Sequence, residues 1–464
     1  GWRSVSTKTK PNPRLATMAD GAAPLSTASG EDRLGALHDD LLHKIITQYL
    51  PVTEAFRTAA FSKRWRHLWC STPLVLRDVD LPEPARDALV PRVLKEHPGH
   101  FRSVILSDCR LASLDLELPL WPLVLAEKQT QKLDLVPSQP DTLSRIPAGI
   151  LRCGSLKELS LGYWALLDLC GVNLSLPNLR RLALVTVFIS DEDLEHLISA
   201  CPVLETLQLN SKRPKHVRLR SRSLRCALVG LSMVEDFEVV DAPLLERLVL
   251  FLPPCGNGVS VKIGYAGELR VLGHLNTRFH RLQIRDNVIS PDTMASISAV
   301  IPSVKILAVT VDFGVLWEVK MLGSFLRCFP NIDTLHIESA LHGPSVAASG
   351  EHHARFLQEV CSVECLRSHV KKMTIHKFRG DQNEFEFLSF IAVNAQELQS
   401  LNVVLQQEIV SSTDDDDMNE TRDKLQCLQF RTGISGVLLV LPTMGLLSSV
   451  KKATDLTFDD PFRF

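Results

Sequence analysis

The densest set of chemical groups in this sequence is basic. The run 212–225 carries Lys212, Arg213, Lys215, His216, Arg218, Arg220, Arg222 and Arg225 and no acidic residue. Alternation places Arg218, Arg220 and Arg222 on one face of a strand, where they could hold an anionic ligand or an acidic partner. The same run also fits a solvated loop or a nuclear import signal. A second set, His352, His353, Cys361 and Cys365, has donor types that suit zinc. It lacks the paired Cys and His spacings of zinc sites, and Cys365 sits in an apolar pattern, so no metal is assigned. Gly256-Asn257-Gly258 lacks the Lys-Ser or Lys-Thr of a phosphate loop and reads as a hairpin turn. Gly433-Ile434-Ser435-Gly436 falls one residue short of a nucleophile elbow. No nucleophile, base and orienting group converge. The chain is expected to be non-catalytic and to need no cofactor.

Two kinds of element must position whatever these residues do. The first is a set of three short helices in Asp32–Leu76. Asp39 or Asp40 can cap a helix with Leu41, Leu42, Ile45, Ile46 and Leu50 at helical spacing, and Pro51 ends it. Thr53 offers a cap to a second helix carrying Ala55, Phe56, Ala59 and Ala60. Ser62 caps a third, with Trp65, Leu68 and Trp69 on one side and Lys63, Arg64 and Arg66 turned away. Helices this short cannot bury that much ring surface among themselves. Either the following domain or a second protein must cover it, and the expectation taken forward is a second protein.

The second kind of element is a repeat. Apolar triplets spaced L-x-x-L-x-L occur at Phe101/Val104/Leu106, Leu156/Leu159/Leu161, Leu179/Leu182/Leu184, Leu204/Leu207/Leu209 and Leu224/Ala227/Val229. They continue at Leu245/Leu248/Leu250, Phe279/Leu282/Ile284, Val304/Leu307/Val309, Ile332/Leu335/Ile337, Val370/Met373/Ile375 and Leu398/Leu401/Val403. From residue 156 to 245 the first members step by 23, 25, 20 and 21 residues, the period of leucine-rich repeats. Each triplet is a short strand with its apolar side turned into a solenoid, and the returning segment is a helix or irregular turn, as at 191–200. Stacked repeats present an extended face that binds macromolecules.

Leu37-His38-Asp39-Asp40-Leu41-Leu42, the Leu50-Pro51 step, Ala59 and Phe61-Ser62-Lys63-Arg64-Trp65-Arg66-His67-Leu68-Trp69 resemble an F-box of the plant type. His38 stands where that family has proline and Phe61 where it has leucine. Segments 241–248, 301–307 and 325–331 are similar to plant F-box proteins with leucine-rich repeats, and 364–372, 378–380 and 387–395 to the FBD domain. The resemblance implies an α/β chain: a small N-terminal three-helix F-box, then a curved leucine-rich-repeat solenoid whose last repeats form the FBD-like cap. The expected divisions are a disordered tail at 1–30, an F-box at 31–76, the solenoid at 77–345, FBD-like repeats at 346–430 with an acidic loop near 411–420, and a C-terminal cap or tail at 431–464. Met18, opening the run MADGAAP, is a candidate natural start.

In this family the F-box docks on a Skp-type adaptor, and through it on a cullin, while the solenoid holds a substrate protein for ubiquitination. The residues expected to meet the adaptor are Leu37, Leu41, Leu42, Ile45, Leu50, Pro51, Phe61, Trp65 and Trp69. The candidate anion or partner patch is Lys212, Arg213, Lys215, Arg218, Arg220 and Arg222. Two alternatives remain: a receptor for a small phosphorylated or hormone-like ligand, and a scaffold that works without a ligase. With 464 residues, 45% hydrophobic content and a net charge of −2, the chain can bury a large core but has no global field to recruit nucleic acid or anionic membrane. The eleven scattered cysteines fit reduced core residues of a cytoplasmic or nuclear protein. The longest apolar run, Val437–Leu447, is broken by Pro442 and Gly445 and cannot span a bilayer.

Overall fold

The computed structural model describes residues 34–110, 118–137, 144–211, 213–230, 234–251, 258–291, 299–340, 363–406, 423–425, 437–440 and 451–463. The expected disordered tail, the candidate start at Met18 and the acidic loop near 411–420 lie outside those residues.

A sixteen-stranded sheet runs through the molecule, with fourteen strands forming its continuous path from Leu74–Arg77 to Val437–Val440. Neighbours on that path are parallel, and the register aligns one residue of each strand in a single row. Val104 pairs across to Leu133, Leu133 to Leu159, Leu159 to Leu182, and Leu182 to Leu207. The row goes on through Ala227, Leu248, Leu272, Leu307, Leu335, Met373 and Leu401. Ten of these twelve are the middle members of triplets, ten of the eleven read from sequence; Leu133 and Leu272 are the additions. A period near two dozen residues returns the same apolar position to the same rung, so the rungs bury one another. The triplet at Phe279/Leu282/Ile284 is the exception: Leu282 belongs to a different sheet.

That different sheet corrects the expectation for the returning segments. His216–Arg220, Asp236–Asp241, Val259–Tyr265, His280–Ile284 and Asn287–Val288 form a five-stranded sheet on the far side of the core. Val217, Leu219, Phe237, Val239, Val261, Ile263, Leu282 and Ile284 share the core with the rungs of the main sheet. The four long segments alternate apolar and polar residues, which suits a strand with one face buried. Elsewhere the returning segment is helical, as in Asp191–Ser199, Leu316–Cys328 and Gln382–Asn394, where apolar residues recur at helical spacing. The strands on either side of Gly256-Asn257-Gly258, Arg247–Phe251 and Val259–Tyr265, belong to different sheets and do not pair with each other. Within that run only Gly258 is among the described residues.

Buried carboxylates tie adjacent repeats. Asp78 accepts from the backbone N–H groups of Asp108 and Cys109, both at 2.7 Å, and Glu318 from Thr277 Oγ1 at 2.9 Å and Asp312 N at 3.0 Å. Glu384 takes the N–H groups of Arg379, Gly380 and Asp381. Each carboxylate satisfies backbone donors that the sheet leaves over.

The three N-terminal helices are α1 (Asp39–Gln48), α2 (Val52–Thr58) and α3 (Lys63–Ser71). Ser62 caps α3 by accepting from Trp65 N at 3.3 Å. The other two caps differ from expectation. His38 caps α1, its ring accepting from Asp40 N, and Pro51 precedes α2, leaving Thr53 inside the helix. Leu42, Ile46, Trp65, Leu68 and Trp69 belong to the same continuous core as Leu74, Leu76 and Phe101 of the first two rungs. A ladder of edge-on rings crosses the seam: Trp69 to His97 at 4.9 Å, then His97 to Phe101 at 5.2 Å. Gly99 lies in this seam, where a Cβ would come within 2.5 Å of the Cys70 carbonyl oxygen.

Candidate functional site

The helical trio divides the nine expected contact residues into three groups. Leu42, Trp65 and Trp69 are buried by the chain itself, with the two indoles only 9% and 8% exposed. The expectation that a second protein must cover them is overturned, because the first rungs of the solenoid already do so. Leu37, Ile45 and Leu50 are half-buried. Leu41, Pro51 and Phe61 stand in solvent, Leu41 at 48% and Phe61 at 71% exposure.

The exposed group extends to residues that sequence reading missed. Leu34, Tyr49 and Phe56 are also large, apolar and exposed. Leu41, Ile45 and Tyr49 are spaced four apart, so they share one side of α1 and its end. The i+4 step from Ile45 would have found Tyr49. The Phe56 ring lies edge-on over Trp69 at 5.8 Å, as Phe61 does over Trp65 at 6.1 Å. Two exposed phenylalanines thus roof two buried indoles.

Arg64 is not simply turned away. Its guanidinium donates to Asp39 Oδ1 at 2.6 and 2.9 Å, to the Leu37 carbonyl at 2.6 Å and to the Gly35 carbonyl. It fixes the segment leading into α1, where proline is replaced by His38. The hydrogen bond from Arg64 holds the Asp39 carboxyl below the usual carboxylate range.

The basic run is partly neutralised in place: four of its eight basic residues, Lys215, His216, Arg218 and Arg225, face carboxylates. Arg218 and Arg220 do share the exposed face of an edge strand, whereas Arg222 falls past the strand end. The neighbouring strand Asp236–Asp241 and its approach supply acids opposite them. Lys215 pairs with Glu235 at 2.6 Å, Arg218 with Glu238 at 3.2 Å, and His216 with Asp191 at 3.0 Å. Arg213 lies over the Phe188 ring at 6.0 Å, and Arg225 pairs with Glu246 at 2.6 Å. Lys212 lies outside the described residues. Single-sign charge along a sequence is not single-sign charge on a surface.

Of the zinc-type set, only Cys365 is described, and it is a buried thiol donating to the Leu326 carbonyl. Among the described residues, no three His, Cys, Asp or Glu side chains are grouped to hold a metal. Gly433–Gly436 lies outside the described residues.

The third surface is the extended face expected to bind macromolecules, and part of the C-terminal cap or tail expected at 431–464 lies on it. The open face of the main sheet, opposite the core, is covered at its centre by residues 451–463. Buried Arg247 donates to four carbonyls of this segment: Lys452 at 3.3 Å, Ala453 at 2.9 Å, Asp455 at 3.0 Å and Phe458 at 2.5 Å. Cys226 Sγ donates to the Ala453 carbonyl, and Ala453 packs on Leu228 and Val249. Farther along, His336 meets Asp460 at 3.0 Å, and Phe462 lies against the rings of His274 and His336. Burial opposes ionisation of Asp460, but the hydrogen bond and charge of His336 outweigh it and hold the carboxyl low. The available signal was the pair of strands Cys226–Gly230 and Arg247–Phe251, apolar on successive residues rather than alternate ones. Such strands need cover on both faces.

Two family models match this chain: the leucine-rich repeats of FBD-associated F-box protein At5g56370 over residues 118–337, and FBD over residues 358–403. The chain thus carries these leucine-rich repeats and an FBD domain, and its relatives are named F-box/LRR-repeat and F-box/FBD/LRR-repeat proteins. It is 28% identical over 431 residues to F-box/LRR-repeat protein 13 of Arabidopsis thaliana, covering 82% of this chain and 90% of that protein. F-box/FBD/LRR-repeat protein At5g22660 of the same organism is 28% identical, covering 48% of this chain and 52% of that protein. F-box/LRR-repeat protein At3g03360, also from Arabidopsis thaliana, is 29% identical over 40% of each chain. Within the FBD match, Lys372–Phe378 and Ser400–Leu405 are simply two further rungs of the main sheet. No helix among the described residues is long and apolar enough to cross a membrane.

Proposed function

We propose that this chain is the substrate-recognition subunit of an SCF-type ubiquitin ligase, in which the helical trio docks on a Skp-type adaptor and the solenoid holds a target protein. The observation that carries the reading is the set of exposed large apolar side chains Leu34, Leu41, Tyr49, Phe56 and Phe61 on an otherwise well-covered trio. Burying such side chains stabilises a complex by roughly 1.5–3 kcal/mol each before association costs are met. The chemistry of ubiquitin transfer belongs to the ligase, and this non-catalytic chain contributes effective concentration by holding the target near it. The protein then works in the cytoplasm or nucleus.

The residues proposed to meet the adaptor are Leu41, Pro51 and Phe61, with Tyr49 and Phe56 added and Leu37, Ile45 and Leu50 at the rim. A receptor for a phosphorylated small molecule is disfavoured at the basic run, because Lys215, His216 and Arg218 already face carboxylates. The test is co-purification with a Skp-type adaptor and cullin. Leu41→Asp combined with Phe61→Ala is expected to abolish capture while the melting temperature is kept. Undiminished capture by this double variant would refute the docking assignment. A chain that keeps a solenoid partner but never brings down a cullin would be the ligase-independent scaffold instead.

A further inference from the structure

The central strands of the main sheet are buried on both faces, and the cover on the open face comes from more than 200 residues away in sequence: Arg247 reaches the carbonyls of Lys452 to Phe458. The contacts are of two kinds. Arg247 collects carbonyl oxygens at and just past the helical residues 451–454, the groups a helix end leaves without partners. Some distance on, an acidic side chain meets His336 and an aromatic ring two residues later rests on His274 and His336. The backbone of that pair is self-braced, since Phe462 N donates to Asp460 Oδ1 at 3.0 Å. A buried guanidinium among carbonyls, a small apolar seat and a histidine-lined aromatic slot together form a peptide-reading surface.

We propose that this surface is the solenoid's peptide-binding site, that residues 451–463 occupy it in cis, and that a partner must displace them with a segment of like chemistry. That segment presents a terminating helical turn with a small residue on its inner side, followed by an acidic residue and, two positions later, an aromatic one. The proposal rests on reading the solenoid as a partner-binding device, and it names where the partner binds and what it looks like. The cis segment is tethered, so it competes as an intramolecular ligand at high effective concentration. An incoming peptide therefore sees its affinity reduced by the fraction of chains whose site is free.

The test uses the full chain throughout. Asp460→Ala with Phe462→Ala weakens the cis segment without touching the sheet. A fluorescein-labelled peptide with the sequence of residues 451–464 is then titrated against this variant and against the unsubstituted chain. The loosened variant is expected to bind the peptide saturably, at least about tenfold more tightly than the unsubstituted chain does. The same peptide carrying both alanines is expected to bind the loosened variant at least about tenfold more weakly. Equal binding of the two peptides, or no gain over the unsubstituted chain, overturns the proposal. Adaptor co-purification of the loosened variant is measured in parallel and is expected to be unchanged. Loss of peptide discrimination with adaptor capture intact sinks this proposal alone; lack of adaptor capture by the unsubstituted chain sinks the ligase reading instead.

Discussion

The central rungs and the N-terminal trio solve the same problem with opposite results. Both carry more apolar surface than one layer of neighbours can cover. In the central rungs the surplus lies on the open face of the sheet, and the C-terminal segment covers it: Ala453 sits on Leu228 and Val249, and Phe462 on His274 and His336. In the trio, Phe56 and Phe61 roof Trp69 and Trp65, and among the described residues nothing roofs the phenylalanines. Under the proposed function and the proposed cis occupancy, the trio would dock constitutively and the sheet would bind only after its own segment is displaced.

The sharpest way to break this comparison is to substitute inside and outside the trio. Trp69→Ala empties a site between Phe56 and His97 and is expected to destabilise the chain by about 3–5 kcal/mol, read by urea denaturation. Leu41→Asp, at an exposed position, is expected to change stability by less than about 0.5 kcal/mol while removing adaptor capture. Similar stability losses for both would mean that Leu41 is core after all.

Acid addresses the seam and the second sheet together. His97 and His280 are held neutral by burial, with pKa values lowered to about 4 from an ordinary 6.5. Because the unfolded chain takes up these protons first, their contribution is fully present above about pH 6.5 and is lost as pH falls towards 4. Denaturation midpoints are therefore expected to drop between pH 7 and pH 4.5, and His97→Phe to flatten part of that slope. A midpoint independent of pH across this window would contradict the buried seam.

A smaller effect is expected from Arg247→Met, about 1.5–3 kcal/mol, because four carbonyls lose a charged donor. Hydrogen exchange should rise at residues 451–463 and not in α1. The smallest is Arg218→Gln, whose exposed pair with Glu238 contributes within about 0.5 kcal/mol.

Most rungs were legible because one apolar residue must return to one position in every repeat. Three of the four missed rungs break the triplet for a physical reason, whereas Val437–Val440 keeps it in sequence as Ile434/Val437/Leu439 and was overlooked. At Lys132–Leu135 the first triplet position is Thr130, and at Leu74–Arg77 the third is Asp78, whose buried carboxylate serves backbone amides. At Val271–Asn276 a register shift between Leu272 and Leu275 moves the last apolar residue by one place. The second sheet was written in alternations, and two of its strands were read, at Arg218/Arg220/Arg222 and Phe279/Leu282/Ile284, but nothing local shows that they pair in a sheet of their own. The proposed adaptor-facing set was only half legible. Helical spacing identifies the apolar positions, yet Leu41 and Leu42 point about 100° apart around the helix, and only packing tells which of them meets solvent.

Sequence by itself determined the repeat, its strand register and the three short helices, since these follow from local periodicity and capping. Tertiary structure alone decided which rings are sheltered, which charges are cancelled and which face of the sheet is closed. Those outcomes depend on pairs far apart in the chain, Arg218 with Glu238 or Arg247 with Ala453. No local pattern encodes the distance between such residues. Folding sets it.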